Sequence, residues 1–422
     1  MKFRYFVLCC LVVLLTVIVP LSSGAYSVLT HEALIDVNWE KYIKPLLKEK
    51  YPASTEQQFK EAHAYAYGGA VAPDMGYYPF GSKLFTNLVH YVRSGDFVES
   101  LLFEAHDLNE YAFALGALCH YSADKYGHKL GVNRSVPIAY PKMKQKFGDV
   151  VTYAENKISH IRTEFSFDVL QTARGNYVST TYHDFIGFKV STPVLERAFL
   201  RTYGLNIHAI FKNLPLAIET FRWTVTNVFP SITKVAWATN KKKIQEANPG
   251  ITADMFRYRI KRDKYNKEFG EYKKPGIFAS IFAVLFRILP KVGPLRALRF
   301  KAPSAETEKL FIKSFDSVLN YYSAELTKLN RGKISLPNID FDTGNETAPA
   351  EYPLADKAYA ALILKLEDKK FDSVSSSLKK NIITFYTDPV VTIRKKNKTR
   401  ELRKINKALS ELKKSTPDSP DL

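Results

Sequence analysis

The sequence predicts an all-α fold. Apolar residues recur at spacings of three and four along most of the chain, which is the pattern of helices that bury one face. Alternating patterns, which indicate strands, are rare. Hydrophobic residues make up 46% of the 422 residues, and this fraction excludes a mostly disordered chain. We therefore expect a helical protein with a large apolar core.

Residues 1–25 are expected to form a cleaved export signal. Two basic residues precede the apolar run Phe6–Val19, and small residues follow it up to Ala25. A segment of this kind is removed and takes no part in the fold. The apolar run is shorter than the roughly 20 residues that a membrane-spanning helix needs. The mature chain is expected to begin at Tyr26 and to be secreted or periplasmic.

The mature chain is predicted to begin with a helical domain over residues 26–240. Helical patterns cover Glu56 to Tyr67, Leu101 to Tyr126, Pro141 to Val169 and Pro193 to Val228. Runs rich in Gly, Pro and Asn predict loops at Gly68-Gly69, Ala72-Pro73-Asp74 and Gly131-Val132-Asn133. The charged run Lys241-Lys242-Lys243 marks the expected edge of this domain.

Residues 241–422 are expected to form a basic, mainly helical C-terminal region. Helical patterns run from Glu306 to Leu329 and from Asp356 to Glu367, and residues 336–353 are predicted to be a loop. Residues 26–210 carry equal numbers of acidic and basic side chains, so the positive excess of the mature chain lies beyond them. This distribution indicates a surface that attracts anions.

An apolar stretch over residues 277–289, flanked by Lys and Arg, has two interpretations. It is too short to cross a bilayer, which takes about 20 residues. It fits either a buried core helix or a segment that inserts into a membrane surface. Because basic residues near anionic lipids favour attachment, residues 211–422 are a candidate contact with an anionic membrane surface.

Two pairs of residues indicate a metal site. His120 and Asp124 lie four residues apart on a helical pattern that starts near Leu108, and His160 and Glu164 repeat this spacing on the next helix. Residues four apart share one helix face, where an imidazole and a carboxylate can bind one ion, although one such pair is also an ordinary ion pair. A mixture of N and O ligands suits zinc. Further candidate donors are His31, Asp74, His90 and His128.

The order of these residues resembles the trinuclear zinc site that bacterial zinc-dependent phospholipases C share with the S1/P1 nucleases. In that family the mature N-terminal residue binds zinc through its amine and carbonyl groups, and Tyr26 matches it, although the family usually has Trp there. The gap from Asp124 to His128 is shorter than the common family spacing. The resemblance covers about residues 26–165 and extends loosely toward residue 240.

The resemblance implies three zinc ions per chain. One ion would be held by Asp74, His90, His120 and Asp124, a second by His128, His160 and Glu164, and a third by Tyr26 and His31, with Asp124 as a bridge. Asp74 is also expected to orient or deprotonate the attacking water. The implied reaction is hydrolysis of a phosphate ester.

The implied substrate is a phospholipid, cleaved at its head group. Glu164 favours the phospholipases because the nucleases have Asp at this position. Cys119 is the single cysteine after the signal, so the mature chain has no intrachain disulfide, which also favours them. The alternatives are an S1/P1-like nuclease or nucleotidase, with nucleic acid as the less favoured partner, and a non-catalytic surface-binding protein that zinc stabilises.

Overall fold

The computed structural model describes residues 28–173, 188–225, 301–387 and 399–416, together with Gln245. These residues form α-helices and one isolated β-bridge, between Ile339 and Glu346, and contain no strand. The predicted all-α fold is confirmed. Within the same residues, no helix is both long and apolar enough to cross a membrane. The export signal, Tyr26, the predicted domain edge at residues 240–243 and the apolar stretch 277–289 lie outside the described residues.

Fifteen α-helices and four short helices of other types make up the described structure. The α-helices are α1 (Val28–Asn38), α2 (Lys44–Lys50), α3 (Glu56–Val71), α4 (Lys83–Tyr91), α5 (Ser94–Phe103), α6 (Leu108–Tyr126), α7 (Asn133–Ala139), α8 (Pro141–Phe147), α9 (Lys157–Ala173), α10 (Thr192–Tyr203), α11 (Leu214–Trp223), α12 (Ala305–Asn330), α13 (Pro353–Asp368), α14 (Ser376–Thr387) and α15 (Thr399–Lys414). The others are two π-helices, Trp39–Ile43 and Gly127–Val132, and two 3-10 helices, Ala72–Tyr77 and Ile207–Ala209.

Some of the long helices predicted from the sequence are interrupted. The pattern from residue 101 to 126 is broken after α5, and Asp107 starts α6 by accepting a hydrogen bond from Glu110 N at 2.9 Å. The pattern from residue 141 to 169 is broken after α8, where Gly148 has a φ of +89°. Periodicity continues across both breaks because the flanking helices pack apolar residues in or against the same core, to which α8 contributes the partly buried Met143 and Phe147.

The three loops predicted at glycine-rich and proline-rich runs are wrong, because each run lies in a helix. Gly68 and Gly69 are inside α3, residues 72–74 begin a 3-10 helix, and residues 131–133 join a π-helix to α7. An added Cβ at Gly69 would meet Phe113 O at 1.8 Å, and one at Gly116 would meet Ala66 O at 2.0 Å. These glycines therefore allow α3 and α6 to pack closely rather than forming a turn.

The described C-terminal helices pack directly on the N-terminal ones. Tyr322 of α12 donates a hydrogen bond through its hydroxyl to Leu115 O of α6 at 2.9 Å. Tyr121 of α6 donates in the same way to Pro337 O at 2.8 Å. Buried apolar residues from both parts form one core cluster. As a result, the segment between α12 and α13 lies against the helices that carry the candidate metal ligands.

Candidate metal centre

Buried histidines and carboxylates from separate elements come together in three groups. Within each group, one ligand atom from every residue lies within 4.8 Å of the others. The groups are His31, His120 and Asp124; Asp74, His90 and His120; and His128, His160 and Asp342. The first two groups share His120, so they form one continuous cluster.

Asp124 lies between two sets of histidines. Its Oδ2 is 3.2 Å from Nε2 of His120, one turn earlier on α6, and 3.6 Å from Nε2 of His90 on α4. Its Oδ1 is 3.4 Å from Nε2 of His31 on α1. All four side chains are buried. Because its two oxygens face different histidines, Asp124 has the arrangement that a bridging carboxylate requires.

Asp74 is placed by a fixed turn in the 3-10 helix Ala72–Tyr77. Its Oδ1 lies 3.2 Å from Nε2 of His90. The hydroxyl of Thr86 donates a hydrogen bond to Pro73 O at 2.7 Å and accepts one from Gly76 N at 2.9 Å. Thr86 lies one helical turn before His90 on α4. The same helix therefore fixes the 3-10 segment that carries Asp74 and supplies His90, the histidine that Asp74 contacts.

Hydrogen bonds of the imidazole rings select the tautomers of two histidines. Nδ1 of His90 lies 2.9 Å from Thr86 O, and Nδ1 of His120 lies 2.9 Å from Ala70 O. A carbonyl oxygen only accepts, so each Nδ1 must carry the proton. Nε2 of each ring then keeps a lone pair, and both Nε2 atoms are buried without a hydrogen bond. Histidines that bind metals are typically held in this way.

The third group forms where α6 passes into the π-helix Gly127–Val132. His128 on this π-helix directs its Nδ1 toward Nε2 of His160 on α9, at 2.8 Å. Glu164 Oε1 is also 2.8 Å from Nε2 of His160. The wider π turn changes the helical register after Asp124. His128 therefore joins a different group from Asp124 despite the short spacing between them.

Asp342 is the one member of the three groups that the sequence did not predict. Its Oδ1 lies 3.2 Å from Nδ1 of His128 and 3.9 Å from Nε2 of His160. It belongs to the segment that was predicted only as a loop. A weak signal was present, since Asp340 and Asp342 alternate with the apolar residues Ile339 and Phe341. Nothing in the spacing linked them to the histidines.

Two of the predicted ligands are not members of the three groups, which comprise described residues only. Tyr26 is not among the described residues, and Glu164 Oε1 lies 2.8 Å from His160 Nε2 without belonging to a group. The start of α1 is nevertheless held near Glu164. Asp168, one turn later on α9, accepts hydrogen bonds from the backbone N–H groups of Leu29 at 2.9 Å and Thr30 at 3.1 Å. Glu164 and Asp168 share one face of α9, so α1 begins against the face that carries Glu164.

Burial and neighbouring charges raise the pKa of some side chains in the site and lower the pKa of others. Burial favours the neutral form of Asp124, but His120, His31 and His128 together outweigh it and hold the pKa of Asp124 below its usual value. Burial, together with Asp74 and other nearby carboxylates, raises the pKa of Glu164 well above its usual value. Burial lowers the pKa of His160 to about 3. His160 is therefore neutral at pH 7, as a metal ligand must be.

The donor atoms of the cluster fit a bound cation. Several carboxylate oxygens are buried without a hydrogen bond, and they belong to Asp74, Asp124, Glu164 and Asp342. Leaving one such atom unsatisfied costs about 1–3 kcal/mol, so several in one place indicate a site for a positive ion. Imidazole nitrogens and carboxylate oxygens are common ligands of zinc.

The helices and the buried cluster define an all-α protein with a candidate metal site of histidines and carboxylates. Residues 30–213 match the family model described as zinc-dependent phospholipase C. This match indicates a zinc-dependent hydrolase. No curated protein and no solved structure matches the chain. The matched residues include every proposed ligand except Tyr26, and they exclude Asp342.

Proposed function

We propose that the mature chain is an exported phospholipase C that cleaves the head-group phosphate ester of phospholipids. The observation that carries this proposal is Asp124, whose two oxygens face separate histidines within a region that matches the zinc-dependent phospholipase C family model. Zinc ions bound in such a cluster supply a hydroxide nucleophile near neutral pH and neutralise phosphate oxygens.

The zinc assignment is the one that the family resemblance implies, and the groups of donor atoms support it except for Tyr26 and Glu164. We assign the first ion to Asp74, His90, His120 and Asp124, the second to His128, His160 and Glu164, and the third to His31 and Tyr26, with Asp124 as the bridge. The support lies in the convergence of these side chains from α1, α4, α6 and α9, and in the ring hydrogen bonds that direct Nε2 of His90 and His120 into the cluster.

Asp74 is the proposed catalytic residue. Its carboxylate is buried, and Oδ1 makes no hydrogen bond although it lies 3.2 Å from His90 Nε2. A carboxylate with a free lone pair next to a metal site can orient a water molecule and accept its proton. The turn that Thr86 fixes keeps this oxygen in place, so the group needs no rearrangement before the reaction.

Asp74→Asn is expected to lower turnover by about 10²–10⁴-fold, because the amide cannot accept the proton. Thermal stability should change little, since the amide has nearly the same shape. Asp36→Asn is the matched control: Asp36 also contacts a histidine, His63, at 3.0 Å, but this pair lies outside the three groups. Steady-state hydrolysis of phosphatidylcholine and thermal unfolding would be measured for both. Turnover of Asp74→Asn close to that of the wild type would contradict the assignment.

A substrate panel tests the reaction class. Zinc-loaded protein would be assayed on phosphatidylcholine vesicles, single-stranded DNA and a simple aryl phosphodiester, with Asp74→Asn as the blank for contaminating activity. Hydrolysis of the lipid well above that of DNA supports a phospholipase. The reverse order indicates an S1/P1-like nuclease. Bound zinc with no hydrolysis of any substrate indicates a non-catalytic, zinc-stabilised protein.

The N-terminus at Tyr26 is a separate prediction. Asp168 anchors the start of α1 beside Glu164, and Tyr26 lies two residues before α1. A chain that begins at Tyr26 is expected to bind about three zinc ions, and one extra residue before Tyr26 should block the amine and remove about one ion. Native mass spectrometry measures both values. A residue added after Leu422 is the control, and an exported protein with another N-terminus would falsify the prediction.

A further inference from the structure

We propose that Asp342 is a fourth protein ligand of the ion assigned to His128, His160 and Glu164, so that the C-terminal region completes the metal site. The inference rests on the proposed zinc function and adds to it a ligand from outside residues 30–213, the part that matches the family. The two carboxylate oxygens of Asp342 have different surroundings, which point to this role.

One oxygen of Asp342 is fixed by hydrogen bonds and the other is not. Oδ2 accepts a hydrogen bond from Tyr153 N at 2.9 Å and another from the hydroxyl of Tyr352. Oδ1 is buried, makes no hydrogen bond, and lies 3.2 Å from Nδ1 of His128 and 3.9 Å from Nε2 of His160. The bonds to Oδ2 therefore hold Oδ1 in the space between two imidazole rings.

The same geometry distinguishes a ligand from a residue that only orients a histidine. A carboxylate that orients a histidine accepts a hydrogen bond from the ring nitrogen that does not bind the metal. Asp342 instead faces Nδ1 of His128, the nitrogen that also faces Nε2 of His160 at 2.8 Å. Two ring nitrogens and one carboxylate oxygen thus converge on one place. Three donor atoms placed in this way can bind one cation.

The loop between α12 and α13, residues 331–352, is anchored beside the candidate metal centre at Asp342 and at residues just before it. Phe341 N donates a hydrogen bond to His90 O at 3.0 Å, and the Phe341 ring lies 5.1 Å from the His90 ring, measured between centroids. Asn133 Nδ2 donates to the carbonyl of Asp342 at 2.7 Å. Farther back, Ser94 Oγ donates to Ile339 O at 2.6 Å. These contacts therefore fix the position of Asp342 in the folded protein.

A fourth protein ligand changes the role of this ion. Tetrahedral zinc with four protein ligands has no open position, which is typical of structural sites, whereas catalytic sites usually have three protein ligands. The ion at His128 and His160 would then mainly join the loop to α9. The chemistry would remain with the cluster around Asp74 and Asp124.

The decisive comparison is Asp342→Cys against Asp342→Ser, two side chains of nearly equal size of which only the thiolate binds zinc well. Asp342→Ser is expected to bind about one zinc ion fewer than the wild type, and Asp342→Cys to keep the ion. With cobalt in place of zinc, Asp342→Cys should gain a thiolate-to-cobalt charge-transfer band that the wild type and Asp342→Ser lack. A residue that only supports the loop would not produce this band.

Two further variants separate ligation from loop stability. Asp340→Asn alters a buried carboxylate of the same loop, which accepts hydrogen bonds from the backbone N–H groups of Asp342 and Thr343. It should lower thermal stability and leave the zinc count unchanged. Tyr352→Phe removes a hydrogen bond to Oδ2 but not the ligand, so zinc affinity in chelator competition should fall by about 10–100-fold.

The outcomes distinguish this inference from the proposed function. Equal zinc content of the Ser and Cys variants, absence of the cobalt band, or unchanged affinity of Tyr352→Phe would overturn the role of Asp342. A wild-type protein that binds zinc but hydrolyses no phosphate ester would overturn the proposed function alone. A wild-type protein that binds no zinc would overturn both.

Discussion

Asp124→Ala is expected to abolish hydrolysis and to remove more than one zinc ion per chain. Asp124 is the only carboxylate in the three groups whose two oxygens face histidines on different helices, His31 through Oδ1 and His120 through Oδ2. Its removal takes one ligand from each of the two ions that it is proposed to bridge. Metal analysis of the purified variant, together with the phosphatidylcholine assay, measures both effects.

Two companion variants test whether the effect comes from bridging. Asp124→Asn retains the volume of the side chain but has one oxygen, so it should hold metal more weakly than the wild type and still lose turnover. Asp36→Asn disturbs the partly buried contact with His63 and should keep the full zinc content. An unchanged zinc content of Asp124→Ala would remove the bridging assignment.

Chelation of the metal is expected to lower the melting temperature by roughly 10 °C. Ligand present at about 1,000 times its Kd stabilises the folded state by about 4 kcal/mol, and each kcal/mol shifts the melting temperature by roughly 2–4 °C in a domain of this size. The structure adds a specific cause. Asp74, Asp124 and Asp342 are buried near enough to Glu164 to raise its pKa, so without a cation the charged carboxylates repel one another.

Scanning calorimetry with and without chelator, at constant ionic strength, measures this shift. Zinc added in excess of the chelator should restore the original melting temperature, which separates metal loss from a direct effect of the chelator. The Asp342→Ser protein should show a smaller shift than the wild type, since it has one ion fewer to lose. A melting temperature that stays the same after verified metal removal would contradict a stabilising role for zinc.

Local spacing in the sequence predicted the parts of the site that depend on one helix. His120 and Asp124 lie four residues apart on α6, and the structure places their side-chain atoms 3.2 Å apart. His160 and Glu164 behave in the same way on α9, at 2.8 Å. Helical periodicity is a local property, so it can be recognised without knowledge of the rest of the fold.

The features that the sequence did not predict depend on contacts between distant segments. The pair Gly68-Gly69 suggests a break when the chain is considered locally, yet Gly69 lies at a close contact between α3 and α6. Asp342 enters the site from a loop, and no periodicity relates a loop residue to a helix. The hydrogen bond from Asn133 to the Asp342 carbonyl spans 209 residues. Contacts between residues so far apart in the sequence depend on tertiary packing, which local sequence patterns do not show.

The position of Asp342 also determines when during synthesis the metal centre can close. The chain is synthesised from its N-terminus, so His31, His128 and His160 emerge from the ribosome long before Asp342 follows them. A contact across 209 residues forms slowly, because a long stretch of chain must first be ordered. The group of His128, His160 and Asp342 therefore stays incomplete until most of the polypeptide has been synthesised.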